Sequence, residues 1–120
     1  MSTTALIVDD HPSFRRFARK LLESAGYEVI GDAEDGASAI ASVGALRPDV
    51  VLLDVLLPDM TGFDVAKELA RHTERPLVVL TSSRSASDLG ALLRTEHSTG
   101  FISKRDLTVA ALAALVREAT

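Results

Sequence analysis

Residues 50–59 read VVLLDVLLPD, and the run from Val50 to Leu53 is apolar at every position before Asp54 interrupts it with a carboxylate. A strand that is apolar only at alternate positions keeps one face in water. One that is apolar at successive positions is covered on both faces, as in a parallel sheet held between two helical layers. An ionised acid inside such a strand would lose its hydration without compensation. Asp54 therefore belongs at the strand's exit, where burial stops, and Leu56, Leu57, Pro58 and Asp59 continue as loop.

The rest of the chain fits that architecture. Five short segments rich in aliphatic residues, Ala5 to Val8, Glu28 to Gly31, Val50 to Leu53, Leu77 to Leu80 and Gly100 to Ser103, alternate with segments of helical period. The first helix starts near His11-Pro12, with Asp10 available as its cap, and Gly26 ends it. Phe14, Phe17, Ala18, Leu21, Leu22 and Ala25 recur along it at helical spacing and give it an apolar face. Further helices are expected over Ala37 to Leu46, Gly62 to His72, Ala86 to Arg94 and Leu107 to Glu118, with Gly90 weakening the fourth. Right-handed crossovers then give a doubly wound α/β sandwich of five βα units. These units fill residues 1–120 as a single domain, with Ala119-Thr120 closing the last helix and no linker or output domain in the chain.

Composition narrows the chemistry. Lys and Arg number 13 against 17 Asp and Glu, a net charge of -4, which provides no basic face for nucleic acid. Arg15, Arg16, Arg19 and Lys20 read as the solvated side of the first helix. The chain has no cysteine, so disulfides, thiolate metal sites and cysteine catalysis are excluded. No apolar run reaches the roughly 20 residues of a membrane helix, and no leader pattern precedes the first strand, so a cytoplasmic location is expected. The three histidines, His11, His72 and His97, share no metal spacing and read as surface or capping residues, with His11 next to an acidic pair.

In an open parallel sheet, ligands bind at the carboxyl ends of the strands. Asp9 and Asp10 lie just past the first strand in LIVDD, and Asp54 lies at the end of the third. Two carboxylates about 4 Å apart at an effective dielectric near 20 repel by roughly 4 kcal/mol, so a cluster needs a neutralising partner. A raised pKa is one answer; a hard divalent cation such as Mg2+ is the other. The alternative is that Asp9 caps a helix and Asp54 ends a strand independently. The fourth strand closes with the hydroxyls of Thr81, Ser82 and Ser83, and the fifth runs into Lys104. A carboxylate, a site for a cation, a hydroxyl and an ammonium are the parts of a phosphoryl-transfer site.

With those residues in that order, the chain resembles the receiver domain of two-component response regulators over essentially its whole length. The matching pieces are Asp9-Asp10, Asp54 with Pro58 and Gly62 in DVLLPDMTG, a hydroxyl closing the fourth strand, and GFISK with Phe101 and Lys104. The resemblance implies a five-stranded, flavodoxin-like sheet of order 2-1-3-4-5. It implies that Asp54 accepts a phosphoryl group from a sensor histidine kinase or a histidine phosphotransfer protein. Mg2+, or Mn2+ in its place, would be held by Asp9, Asp10, Asp54 and the backbone carbonyl of Leu56. Lys104 would bind the phosphoryl oxygens, Ser82 would supply the switch hydroxyl with Thr81 in reserve, and Phe101 would report the change on the surface of the fourth helix, fifth strand and fifth helix. Leu56 and Arg84 would flank the phosphoryl group and tune its hydrolysis. The partners implied are the phosphodonor and either a second copy or a separate output protein, with no membrane and no direct nucleic acid contact.

Two departures from the family pattern stand out. RTEHSTG replaces the frequent Gly-Ala pair before the fifth strand, and SKRD replaces the frequent Lys-Pro. Lys-Arg-Asp-Leu resembles instead the receivers that precede helix-turn-helix output domains of nitrate-regulator type. Other readings fit less well. An aspartyl-phosphate phosphohydrolase typically has a second Asp two residues after its nucleophile, where this chain has Leu56. A flavodoxin-type cofactor site would not follow the first strand with acids. A pseudo-receiver that is never phosphorylated would not need the full set of acids, hydroxyl and lysine. An aliphatic Leu56 and a long Arg84 beside the phosphoryl group should hinder water, so the phosphorylated form is expected to outlast that of fast-cycling chemotaxis receivers. A decay half-life of seconds, measured on the isolated phosphoprotein, would contradict this.

Overall fold

The computed structural model describes residues 2–72 and 75–119. Thr120, read above as closing the last helix, lies outside the described residues. The elements run β1 (Thr4–Val8), α1 (Pro12–Ser24), β2 (Glu28–Ala33), α2 (Gly36–Leu46), β3 (Val50–Asp54), α3 (Gly62–Leu69), β4 (Leu77–Ser82), α4 (Ala86–Leu89), β5 (Gly100–Ser103) and α5 (Val109–Ala119). The strands form one parallel sheet in the order β2-β1-β3-β4-β5, as the family resemblance implies.

Alternation along the strands builds two cores. Leu6, Val8, Val51, Leu53, Val78 and Leu80 pack on one face against Ala39 and Val43 of α2 and Val65 and Leu69 of α3. Ala5, Ile7, Val50, Leu52, Val79 and Ile102 pack on the other against Ala18 and Leu22 of α1 and Leu112 of α5. Val50 to Leu53 are buried on both faces, which is why that run is apolar without alternation; Asp54, expected past the strand where burial stops, is instead its last residue and is itself buried, and burial continues through Val55. Each buried aliphatic side chain contributes roughly 1.5–3 kcal/mol relative to exposure, so β3 anchors both layers at once.

Several boundaries differ from expectation for identifiable reasons. α1 has Pro at its start, but its N-cap is His11 and no side chain caps it, so Asp10 does not take that role. Phe17, counted on the apolar face, is 50% exposed. α1 does end as expected, with Gly26 at φ 93 and Tyr27 N–H donating to the Leu22 carbonyl. α3 stops at Leu69, short of His72. The expected fourth helix is one turn, capped by Ser85 and Asp88; Gly90 then takes φ 51 and the chain passes through a 3-10 turn over Gly90–Leu92. Only Leu89 of its three leucines is buried, while Leu92 is 67% exposed. Lys104–Asp106 form a second 3-10 turn, so α5 begins at Val109 rather than at Leu107.

The loop after β3 turns back tightly. The Gly62 N–H donates to the Val55 carbonyl at 2.7 Å, and a Cβ built on Gly62 would lie 2.3 Å from the backbone oxygen of Asp54. Only glycine permits that approach without moving the strand end. Gly62→Ala should therefore cost on the order of 1–3 kcal/mol in urea unfolding. Gly44→Ala, in the exposed interior of α2 with nothing within 4 Å of its Cβ, should gain up to about 1 kcal/mol. Equal effects of the two substitutions would refute this account of the loop.

Candidate functional site

Three strand ends meet at the carboxyl edge of the sheet. Asp9 directly follows β1, and its N–H donates to the Ala33 carbonyl at 3.0 Å, which fixes the backbone there. Asp54 is the last residue of β3 and pairs in register with Thr81 of β4. Lys104 leaves β5 through the 3-10 turn. Strand alternation places Asp9 after Ala5 and Ile7, Asp54 after Leu52, and Thr81 after Val79, all toward the side of the sheet that α1 and α5 cover.

The side chains converge accordingly. The Lys104 ammonium lies 2.6 Å from Asp9 Oδ2 and 3.6 Å from Asp54 Oδ2. Its Nζ also sits 4.3 Å from the ring centroid of Phe14 on α1, a cation–π contact that restrains it. Asp9 is fully buried, and Oδ2, apart from that ion contact, has no hydrogen-bond partner. Asp10 is more open, with its side chain 36% exposed. Ligand atoms of Asp9, Asp10, His11 and Asp54 all lie within 4.8 Å of one another.

Buried acids in excess of their cationic partner raise one another's pKa. The Asp54 carboxyl is pushed up from 3.8 to about 6, first by burial and then by the charge of Asp9, against the lowering effects of Lys104 and a long 3.5 Å hydrogen bond from the Leu56 N–H. The buried Asp9 oxygen without a hydrogen-bond partner and the oxygen-rich donor set both fit a hard divalent cation. Asp9, Asp10 and Asp54 are the side chains placed to hold one.

The hydroxyls on β4 are separated by the sheet. Thr81 and Ser82 are both buried, but Thr81 shares the face of Asp54, whereas Ser82 points to the opposite face and its Oγ accepts the Arg84 N–H at 3.1 Å. Of the two, Thr81, expected as the reserve hydroxyl, is the one on the face of Asp54. Phe101 is half-buried and packs on the α2–α3 side. Leu56 is 54% exposed, and Arg84 is exposed.

Three residues make contacts beyond a surface or capping role, His11 among them at the acidic pair it follows. His11, expected at the surface or as a cap, has Nδ1 3.0 Å from Asp9 Oδ1 and 3.1 Å from Asp10 Oδ1. Arg15, read as solvated, is largely covered: it donates to the Asp9 carbonyl, and its Nε lies 3.8 Å from Asp32 Oδ2. Asp59 accepts from the N–H groups of Gly36 and Ala37 at 2.7 and 2.9 Å, tying the loop after β3 to the start of α2. Those two bonds hold its carboxyl below the ordinary range. An acid beside Pro58 in a loop is a local signal, but its partner 23 residues away is not.

The sheet order defines a flavodoxin-like α/β domain with an acidic pocket at its carboxyl edge. The response regulator receiver domain matches residues 5–117, and the chain belongs to that family. It is 44% identical over 90 residues to the nitrate/nitrite response regulator protein NarP of Escherichia coli (strain K12), covering 73% of this chain and 42% of that protein. It is 37% identical over 83 residues to a protein-glutamate methylesterase/protein-glutamine glutaminase of Hahella chejuensis, covering 69% of this chain and 24% of that protein. Among solved structures, a signal receiver domain ascribed to response regulator NarL of Mycobacterium tuberculosis superposes with TM-score 0.80 at 32% identity, covering 98% of this chain and 95% of that one. The chain thus spans half or less of the curated relatives it matches and corresponds to their receiver part. Among the described residues, no helix is long and apolar enough to cross a membrane.

The raised Asp54 pKa has a definite sign for stability. The folded state holds the Asp54 proton more tightly than the unfolded state, so this group costs nothing below 3.8, and its full penalty is present above about 6. The difference corresponds to roughly 3 kcal/mol. Without divalent cations, Asp54→Asn should raise unfolding free energy by up to that order near neutral pH, with the gain vanishing in acid. A gain that is the same at both extremes would contradict the assignment.

Proposed function

We propose that this domain is a phosphorylation-driven switch in which Asp54 accepts a phosphoryl group from a sensor histidine kinase or a histidine phosphotransfer protein. A carboxylate oxygen of Asp54 attacks phosphorus, and the new P–O bond forms as the P–N bond breaks; the donor imidazole, already protonated on its other ring nitrogen, takes the bonding pair and leaves neutral. The observation that carries this reading is a buried Asp54 carboxylate set 3.6 Å from the Lys104 ammonium at an open strand end. Asp9, Asp10, Asp54 and the Leu56 carbonyl would hold Mg2+, with Mn2+ as its substitute; when bound, that ion offsets charge on the phosphoryl oxygens. Lys104 would exchange part of its contact with Asp9 for the incoming oxygens.

Phosphorylation adds roughly -2 charge and three acceptor oxygens. Thr81, rather than Ser82, is the hydroxyl on the right side of the sheet to meet them. Its inward movement would carry the β4–α4 loop, and Phe101 would follow on the opposite face. The change matters only if it favours one of two states over the other. α4 is a single turn, and little packing resists such a shift. Output would pass to a segment or partner recognising the α4–β5–α5 surface, whether an output protein or a second copy, and the setting would be cytoplasmic. The exposed Leu56 and Arg84 would line water's approach and tune hydrolysis.

Incubation with Mg2+ and acetyl phosphate, followed by intact mass measurement, should show one added phosphoryl group on the wild type and none on Asp54→Ala. Thr81→Ala should lose most of the phosphorylation-dependent change, and Ser82→Ala should retain it. The opposite pattern would restore Ser82. A wild type that is neither phosphorylated nor perturbed by beryllofluoride with Mg2+ would make the domain a pseudo-receiver.

A further inference from the structure

The His11 ring takes no part in capping the helix that its backbone starts. The residue occupies the N-cap of α1 with φ -97 and ψ 111. The ring turns instead toward the acids, with Nδ1 3.0 Å from Asp9 Oδ1 and 3.1 Å from Asp10 Oδ1. The backbone holds it there, because the His11 N–H donates to the same Asp9 Oδ1 at 2.8 Å.

Those spacings are also the spacings of ligands around an ion. Donors at about 2.1 Å from a six-coordinate metal lie about 3.0 Å apart along each octahedral edge. Nδ1 makes two such edges, one to each carboxylate. Asp9 divides its oxygens in a way that supports this: Oδ2 faces Lys104 at 2.6 Å, while Oδ1 faces His11. Asp9 is fully buried, so its Oδ1 is held facing the His11 ring while Oδ2 is engaged by Lys104.

We propose that His11 Nδ1 is a ligand of the pocket and gives it a mixed nitrogen–oxygen donor set, so that it takes borderline first-row divalent ions such as Co2+, Ni2+ or Zn2+ in competition with Mg2+. This rests on the reading above that Asp9 and Asp10 hold a cation. Oxygen-only sets suit Mg2+; an imidazole adds affinity that rises along the first-row series and that Mg2+ does not share. The ring serves in its neutral form with the proton on Nε2, leaving the Nδ1 lone pair for the ion. Its side chain is 65% exposed, so it can adjust to the ion without disturbing the core. The regulatory consequence is that a transition ion would occupy the same pocket as Mg2+ and compete for it.

Mn2+ serves as the probe because it is paramagnetic and accepts both donor types. Pulsed electron paramagnetic resonance of the wild type with Mn2+ should show the coupling of a directly bound imidazole nitrogen. The coupling should change to the 15N pattern when the protein carries 15N-histidine, and it should be absent from His11→Gln. Calorimetry should show Ni2+ affinity falling by about tenfold or more in His11→Gln while Mg2+ affinity stays within about twofold. Mn2+ bound to the wild type without histidine coupling overturns the proposal and leaves the cation pocket intact; the Nδ1 contacts are then hydrogen bonds only. Failure of the wild type to bind either Mn2+ or Mg2+ overturns both this proposal and the cation reading beneath it. The labelling experiment needs no variant, so the result does not depend on His11→Gln folding well.

Discussion

The Lys104 ammonium between Asp9 and Asp54 is the contact on which the carboxyl edge depends. It joins the ends of β5, β1 and β3, which meet there only because β1 lies beside β3 and β4 spans the gap to β5. Ion pairs with this degree of burial return little net stability, since desolvation offsets most of the attraction. This one also leaves the balance of charge unresolved: Asp9, Asp10 and Asp54 share the pocket with that single ammonium and a histidine. Burial first, and then the charge of Asp9, push the Asp54 carboxyl up.

That excess makes the pocket responsive. On the function proposed above, a cation would relieve it by neutralising carboxylates, and a phosphoryl group would change which oxygens Lys104 faces. Around this responsive edge the fold is rigid on one side and slack on the other. β3 is buried throughout, and the loop after it is tied down by Gly62 at the strand end and by Asp59 at the start of α2. Beyond β4 the chain has one turn of α4, a 3-10 turn with Leu92 exposed, and then no regular structure until β5. Movement is therefore cheapest on the side where a signal would be read.

Much of this was legible in the sequence. The unbroken apolar run of β3 predicts a two-sided sheet, and this holds because burial sets hydrophobic pattern directly; Asp54 does end the strand, but it is buried there rather than lying where burial stops. Asp9, Asp10 and Lys104 could be placed because the edge of a parallel sheet collects strand ends. Other features were less accessible. The length of α4 turned on the positive φ of Gly90, a local choice that periodicity does not encode. Thr81 and Ser82 differ by one residue and hence by the face of the sheet, a distinction that rests on the strand's register rather than on residue type. Arg15 and Asp59 act through partners distant in the chain, and a charged residue on a helix or in a loop looks the same whether solvated or bound.

The central claim is that the pocket at the strand ends is electrostatically unsatisfied and is completed by a divalent cation. Urea unfolding of the wild type near neutral pH, repeated across a range of Mg2+ concentrations at constant ionic strength, tests it directly. Stability should rise with Mg2+ and continue to rise logarithmically beyond the dissociation constant, reaching about 2.7 kcal/mol at a hundredfold excess over it. A wild-type stability that does not change with Mg2+ would contradict the account.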